Sequence, residues 1–171
     1  MKADDPRLLQ AGKEMDERIR KYDERMLTVI KNHLGCEDFL NQLLSAGSRR
    51  WKRRMFGGKL VVGQQINPPE ITPAVWKLLE AGNQLRNAVA HGDDESTIAA
   101  RMAEFRQAYL KDLTPEQQKG VKDLDDTRMV VLAFAHCGGY LVVAVDAEKE
   151  RRKKKAEAKA QARGVFASRA G

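Results

Sequence analysis

A complete helix is encoded by residues 72–92, whose sequence is TPAVWKLLEAGNQLRNAVAHG. Thr72 precedes Pro73, a pair typical of a helix that begins with a hydroxyl N-cap and a first-turn proline. Gly92 is the residue type that most often follows the last turn of a helix. The apolar side chains between these ends recur at helical spacing, at Val75, Trp76, Leu78, Leu79, Leu85 and Val89. The stretch therefore predicts an amphipathic helix with one buried face.

Helical patterns of the same kind lie on both sides of this stretch. Residues 16–45 carry apolar positions on one helical face, and Gly47 follows them as a plausible stop. Asp93 and Asp94 are suited to cap a helix beginning near residue 95. The segment 114–117, TPEQ, combines an N-cap, a first-turn proline and a capping-box glutamine. We expect the helix it begins to continue through residues 129–145 into the C-terminal segment. The pattern predicts an all-α bundle of about five helices with a long basic C-terminal helix or tail.

Positive charge is concentrated at the C-terminus. The chain has a net charge of +7, and residues 149–163 hold eight basic and two acidic side chains, leaving 23 basic and 22 acidic residues elsewhere. The chain divides into a helical domain, residues 1–147, and a basic extension, residues 148–171. A high isoelectric point alone is therefore a poor argument that the helical domain binds nucleic acid.

The cysteines and the apolar segments exclude several other classes of protein. Cys36 and Cys137 stand far apart and lack metal-ligand spacing, which argues against a structural zinc site or a disulfide framework. No secretory apolar region follows the polar residues 1–5, and the apolar run 129–145 contains His136 and two glycines and is short for a membrane span. We expect a soluble cytoplasmic protein without metal or membrane association.

Three polar residues at the end of the 72–92 helix carry the strongest chemical signal. A histidine such as His91 can transfer a proton near neutral pH, and the guanidinium of Arg86 can hold phosphate oxygens in a fork. Asn87 and His91 are one turn apart on one face, whereas Arg86 lies about 140° around a regular helix from His91. Arg86 joins them only if its side chain wraps around or the helix loosens before Gly92. The alternative is a helix end that merely carries favourable cations.

The order of these residues resembles the signature of the HEPN superfamily. That signature is an arginine, a polar residue, a spacer and a histidine, matched here by Arg86, Asn87, residues 88–90 and His91. HEPN domains are small all-helical domains of bacterial toxins, anti-phage proteins and RNA-guided effectors. The context also fits, because a helix over residues 27–44 precedes a basic, glycine-interrupted connection.

The resemblance implies a metal-independent endoribonuclease in a toxin–antitoxin or anti-phage setting. Two copies of the motif would face each other across one RNA-binding cleft of a homodimer. His91 would be the acid/base group, Arg86 would stabilise the charge growing on the phosphate, and Asn87 would orient its neighbours. The 2′-hydroxyl of RNA is the nucleophile, so no cofactor is implied, and the products would carry a 2′,3′-cyclic phosphate and a 5′-hydroxyl. A cognate antitoxin or regulatory protein is a further partner that the resemblance admits.

A basic segment around Trp51 is the best candidate for additional RNA contact. Its basic residues surround an aromatic ring, an arrangement that can bind phosphates and stack on unpaired bases. The candidate RNA-binding side chains are Arg49, Arg50, Arg53 and Arg54. The alternative is a solvated segment that Trp51 and Phe56 anchor to the core. The C-terminal run 151–155 would add non-specific, salt-dependent affinity, or bind an acidic partner instead.

Two histidines outside the motif have weaker signals. His33 and Glu37 are one turn apart beside an apolar stripe, and Glu37 could reach Arg86 across the bundle as a supporting residue. Solvation or simple pairing along the helix is the alternative for both. His136 lies in an apolar run beside Cys137, which favours a core position over a catalytic one.

Two non-catalytic functions compete with the ribonuclease. One is a helical dimer that binds nucleic acid or a protein partner as a regulator. The other is a scaffold subunit in which the motif only stabilises a dimer interface. Loss of cleavage without loss of binding in His91→Ala would favour the enzyme over both.

Overall fold

The computed structural model describes residues 6–47 and 50–169, with side chains described up to residue 161. These residues form six helices and no strand, which confirms the predicted all-α class. The helices are α1 (Pro6–Ala46), α2 (Phe56–Ile66), α3 (Pro73–His91), α4 (Glu95–Asp112), α5 (Pro115–Val121) and α6 (Asp126–Arg169).

The two long helices, α1 and α6, pack side by side and run in the same direction. The Cys36 thiol donates a hydrogen bond of 3.2 Å to the Phe134 carbonyl oxygen, and further along both helices Gly47 and Glu148 line one groove. Helix α3 runs antiparallel to α1. The C-terminal turn of α3 contacts Tyr22, which lies near the beginning of the part of α1 that packs against the bundle. This arrangement places the end of α3 at the opposite end of the bundle from the end of α1.

The core is apolar and closely packed between α1, α3, α4 and α6. Its largest fully buried side chains include Leu40, Leu78, Phe105 and Leu141. Close approach of α3 to α6 requires Gly82, since a Cβ atom there would lie 2.8 Å from the Phe134 ring. The buried face of α3 therefore fixes the position of the polar residues on its outer edge.

The helix ends predicted from local sequence are confirmed. The Thr72 hydroxyl accepts a hydrogen bond of 3.2 Å from the Val75 amide, with Pro73 in the first turn. Gly92 ends α3 in the left-handed conformation, with φ of 68°. At the start of α4, Asp94 accepts a hydrogen bond of 2.9 Å from the Thr97 amide. The expected capping box at Thr114 is also present.

The expectation of one continuous helix from residue 114 onward is wrong. Helix α5 ends at Val121, and α6 begins at Asp126. The Asp125 carboxylate accepts a hydrogen bond of 2.8 Å from the Arg128 amide, which starts a new helix. Arg106 of α4 donates hydrogen bonds to the carbonyl oxygens of Lys122 and Leu124 in the connection, at 3.3 and 2.8 Å. These contacts come from a helix distant in sequence, and local propensity does not reveal them.

Helix α1 is longer than expected, because it begins at Pro6, ten residues before the expected start. Helix α6 continues past residue 148 into the basic C-terminal segment, as expected. By length and composition, the segment 126–161 of α6 is apolar enough to cross a membrane, and half of its most apolar window is buried inside the bundle.

Candidate functional site

The candidate site lies on the outer edge of the last two turns of α3. Leu85, Ala88 and Val89 are buried and hold these turns against the core, while Arg86 and Asn87 are partly buried and His91 is exposed. The Tyr22 hydroxyl donates a hydrogen bond of 3.2 Å to the Val89 carbonyl oxygen and fastens the end of α3 to α1. The edge of α3 that carries Arg86, Asn87 and His91 is thus accessible to solvent, and α3 itself is held firmly against the core.

Asn87 fixes the guanidinium of Arg86. Arg86 Nη1 donates a hydrogen bond of 3.0 Å to Asn87 Oδ1. Arg86 Nε is buried and has no hydrogen-bond partner among the described residues. A buried donor without a partner costs roughly 1–3 kcal/mol. Because Nε is not exposed, an anion would contact it only after the side chain shifts.

His91 is the most exposed member of the motif. It occupies the last residue of α3, which stays α-helical to its end. The helix does not loosen before Gly92, so Arg86 and His91 leave α3 about 140° apart. Within the described chain no hydrogen bond or ion pair joins His91 to Arg86 or Asn87. One copy of the chain therefore presents Arg86 and His91 on different sides of the same turns.

His33 lies beneath Arg86 in the core. Its ring is 1% exposed and packs against Phe56 at 4.2 Å between ring centroids. Burial lowers the pKa of His33 to about 4; the charge of Glu37 opposes this shift, and the positive charge of Arg86 adds to it. Asn83 lies beside the ring, yet neither ring nitrogen has a hydrogen bond of good geometry within the described residues. His33 is therefore a neutral group that supports the Arg86 turn from below.

Glu37 is directed toward α2, and its described ion pair is not with Arg86. Its carboxylate pairs with the Lys59 ammonium at 2.5 Å, and the Lys59 side chain is 10% exposed. The same ammonium lies 5.4 Å from the centre of the Trp51 ring, within cation–π distance. Glu37 therefore ties the basic segment around Trp51 to α1.

That basic segment forms an open groove, here called the Trp51 groove. Its volume is about 600 Å³, and it is lined by Arg50, Trp51, Lys52, Arg53 and Arg54. Arg49 lies outside the described residues. The groove leads into α2, where Gly57 faces Asn83, one turn before Arg86; a Cβ atom on Gly57 would lie 3.9 Å from the Asn83 amide nitrogen. The structure thus brings the end of the basic segment toward the Arg86 turn.

The acidic residues after Gly92 are largely used in local contacts. Hydrogen bonds from Ser96 and Thr97 lower the pKa of Asp94 to about 2, as expected for an ionised N-cap. The Glu95 carboxylate accepts two hydrogen bonds from Arg25, at 2.7 and 2.9 Å. Capping was the expected role of these acids, and the pairing with Arg25 further reduces their repulsion of a phosphate.

His136 has a partner that sequence reasoning missed. Its Nε2 lies 2.6 Å from Asp112 Oδ2, and the Thr72 hydroxyl donates a 3.3 Å hydrogen bond to the other carboxylate oxygen. His136 is 20% exposed and borders an open groove beside Tyr140. The ring is therefore a partly exposed member of a polar pair. Asp112 belongs to another helix, so no local sequence pattern signals this pair.

The described residues contain no group of three or more His, Cys, Asp or Glu side chains placed to hold a metal ion. Cys36 and Cys137 are both buried free thiols, and burial raises the pKa of Cys36 to about 12. Neither thiol faces the α3 edge as an accessible nucleophile. The reactive groups available at that edge are those of Arg86, Asn87 and His91.

Comparison with known proteins returned no match: no family model, curated protein or solved structure is significantly similar to this chain.

Proposed function

We propose that this protein is a metal-independent endoribonuclease of the HEPN type that acts as a homodimer. The observation that supports this most is the state of Arg86. Its guanidinium is oriented by a hydrogen bond to Asn87, while His91 is exposed on the same two turns. A fixed cation and an accessible acid/base group, brought to one phosphate by two copies of the chain, are what RNA transesterification requires.

The reaction follows from the roles of these groups. The RNA 2′-oxygen attacks the adjacent phosphorus and the bond to the 5′-oxygen breaks, leaving a 2′,3′-cyclic phosphate and a 5′-hydroxyl. His91 either accepts the proton of the 2′-hydroxyl or donates a proton to the leaving 5′-oxygen, with the other proton exchanged with water, and Arg86 stabilises the negative charge on the phosphate. The nucleophile belongs to RNA, so the proposed reaction requires neither metal nor cofactor.

The divergence of Arg86 and His91 on a regular helix favours a composite site. A second copy related by two-fold symmetry would present its His91 opposite the first copy's Arg86. Apolar side chains exposed on α1 and α6 offer surface for such a dimer, among them Leu27, Leu34, Val131 and Val143. An RNA substrate would place the proposed dimer in the cytoplasm, and α6 contributes half of its most apolar window to the core of the bundle.

A non-catalytic regulator that binds RNA or a protein remains the second candidate. The observation that favours it is the contact between Arg86 and the core: its charge acts on buried His33, and its side chain is partly buried. In that case Arg86 serves packing, and His91 is an exposed helix-end cation.

Cleavage of mixed cellular RNA in EDTA tests the proposal. We expect the wild type to generate 2′,3′-cyclic phosphate ends, and His91→Gln to lose this activity while still binding RNA. The matched control is His136→Gln, which changes a histidine outside the motif and should retain cleavage. Absence of cleavage by the wild type across pH and salt, with RNA binding intact, would instead support the regulator.

A further inference from the structure

The C-terminal part of α6 projects beyond the bundle as a charged helix. Residues 148–161, here called the arm, continue α6 past the end of α1, and every side chain from 149 to 161 is exposed. Helix α1 ends at Ala46 and Gly47 follows it beside the first turn of the arm. The arm is thus carried by a core helix and is not a separate tail.

Charge is unequally divided between two sides of the arm. At about 100° per residue, one side gathers four cations around the single carboxylate of Glu148, and the opposite side gathers two cations and two carboxylates. The cationic side carries Arg151, Arg152, Lys155 and Lys159; the mixed side carries Glu150, Lys153, Lys154 and Glu157. On the mixed side, glutamates and lysines are three or four residues apart, so their charges offset one another.

The cationic side faces a groove, here called the arm groove, of about 620 Å³. It is lined by Gly47, Glu148, Arg151, Arg152, Lys155, Ala156 and Lys159. Its only carboxylate, among the described lining residues, belongs to Glu148, which accepts a 3.0 Å hydrogen bond from Arg151. Arg151 also donates two hydrogen bonds to Glu70, at 2.7 and 3.1 Å, and so fastens the arm to the α2–α3 connection.

The remaining cations of this side have no ionic partner. Arg152, Lys155 and Lys159 form no ion pair within the described part of the chain. Three unpaired cations on one side of an anchored helix match the regular negative charge of a nucleic-acid backbone. We propose that the arm groove binds the phosphate backbone of single-stranded RNA.

This inference rests on the proposed ribonuclease for the choice of RNA, but it concerns a different end of the molecule. Tyr22 marks the level of the α3 motif and Gly47 that of the arm groove, which are roughly 38 Å apart along α1 at 1.5 Å per residue. The arm would therefore hold RNA that flanks the cut without touching the reacting phosphate. It should increase the affinity for long RNA and leave cleavage of a dinucleotide unchanged.

Two double variants of the full chain test the proposal in the non-cleaving His91→Gln background. Lys155→Gln with Lys159→Gln removes two charges from the groove side, and Lys153→Gln with Lys154→Gln removes the same two charges from the mixed side. At about 0.1 M salt we expect the first to weaken binding of a long single-stranded RNA by about 25-fold and to reduce the salt slope by about 1.4. The second should produce a clearly smaller change in both quantities.

Equal losses in the two variants, or no loss in either, would overturn the proposal, because diffuse attraction does not depend on the side of the helix. A side-dependent loss on vesicles of anionic phospholipid, with RNA binding unchanged, would assign the groove to a membrane surface and also overturn it. Binding is measured without catalysis, so absence of His91-dependent cleavage in the wild type would reject the ribonuclease and leave the arm result standing.

Discussion

The two ends of the bundle use charge in opposite ways. At the end of α3, Arg86 is bound by Asn87, and Glu95 is paired with Arg25. At the arm, three cations stand on one exposed side without ionic partners. Charges fixed by the protein can orient and stabilise a reacting group, whereas unpaired solvated charges mainly add affinity. Under the two proposals, the reaction and the capture of flanking RNA occur in separate regions.

Of the substitutions considered, Arg86→Lys should most strongly separate the loss of cleavage from the loss of RNA binding. Lysine keeps the charge but loses the planar fork and the hydrogen bond to Asn87. We expect cleavage to fall by about 10²–10³-fold, as for loss of one preorganised donor, with little change in the dissociation constant for RNA. Single-turnover cleavage and equilibrium binding measure the two effects, and Arg18→Lys on the exposed surface of α1 is the control. Equal losses of RNA binding and of cleavage would contradict the proposal that catalysis and RNA binding lie at different ends of the molecule.

We expect acid to lower the free energy of unfolding of the protein because His33 is buried in its neutral form. The folded chain keeps His33 neutral down to about pH 4, whereas the unfolded chain takes up a proton near the ordinary pKa of 6.5. The unfolded state therefore binds more protons between these values, and the free energy of unfolding falls as pH drops from 6.5 to 4, by about 3 kcal/mol from this group.

Chemical denaturation across this pH range, with His33→Leu beside the wild type, isolates the contribution. The variant should lose the part of the pH dependence that belongs to His33 and keep the part due to carboxylates. Identical pH profiles of the two proteins would show that His33 is not held neutral in the folded state.

Close packing beneath the motif can be tested at Gly82. A methyl group there would lie 2.8 Å from the Phe134 ring, so Gly82→Ala should destabilise the fold by about 1–3 kcal/mol. Gly35→Ala is the matched control, since an added Cβ atom at Gly35 meets nothing within 4 Å on the exposed side of α1. The control should stabilise the fold by about 1 kcal/mol. In denaturant unfolding, the midpoint should therefore fall for Gly82→Ala and rise for Gly35→Ala. Equal shifts in the two variants would contradict the packing account.

The arm should contribute least to stability. Lys155 and Lys159 are exposed and unpaired, so replacing both by glutamine should change the free energy of unfolding by less than about 0.5 kcal/mol. A larger loss, seen by thermal or denaturant unfolding, would mean that the arm supports the bundle and is not a separate binding element.

Features set by neighbouring residues were predictable from the sequence. The cap at Thr72, the left-handed Gly92 and the capping box at Thr114 each depend on residues within one turn, and all three are present. The break between α5 and α6 was missed although Asp125, three residues before Arg128, is a local cap; only the hydrogen bonds from Arg106 to the connecting carbonyl oxygens lie beyond local sequence.

The candidate site could be read from sequence only in part. Spacing correctly placed Arg86, Asn87 and His91 on the last turns of one helix. Glu37 pairs with Lys59, and His136 pairs with Asp112, only because their helices pack together in the fold. The periodicity of the sequence does not predict which helices pack together. The proposed pairing of His91 with Arg86 of a second copy depends on assembly, which sequence periodicity also does not predict.

Mixing two inactive variants tests most directly whether Arg86 and His91 act together across a dimer. Arg86→Ala and His91→Ala should each fail to cleave RNA alone. After co-refolding, the mixed dimer combines an intact Arg86 from one copy with an intact His91 from the other, and cleavage to 2′,3′-cyclic phosphate ends should reappear. If the mixture stays inactive although mixed dimers form and the wild type cleaves, the shared site proposed here is contradicted.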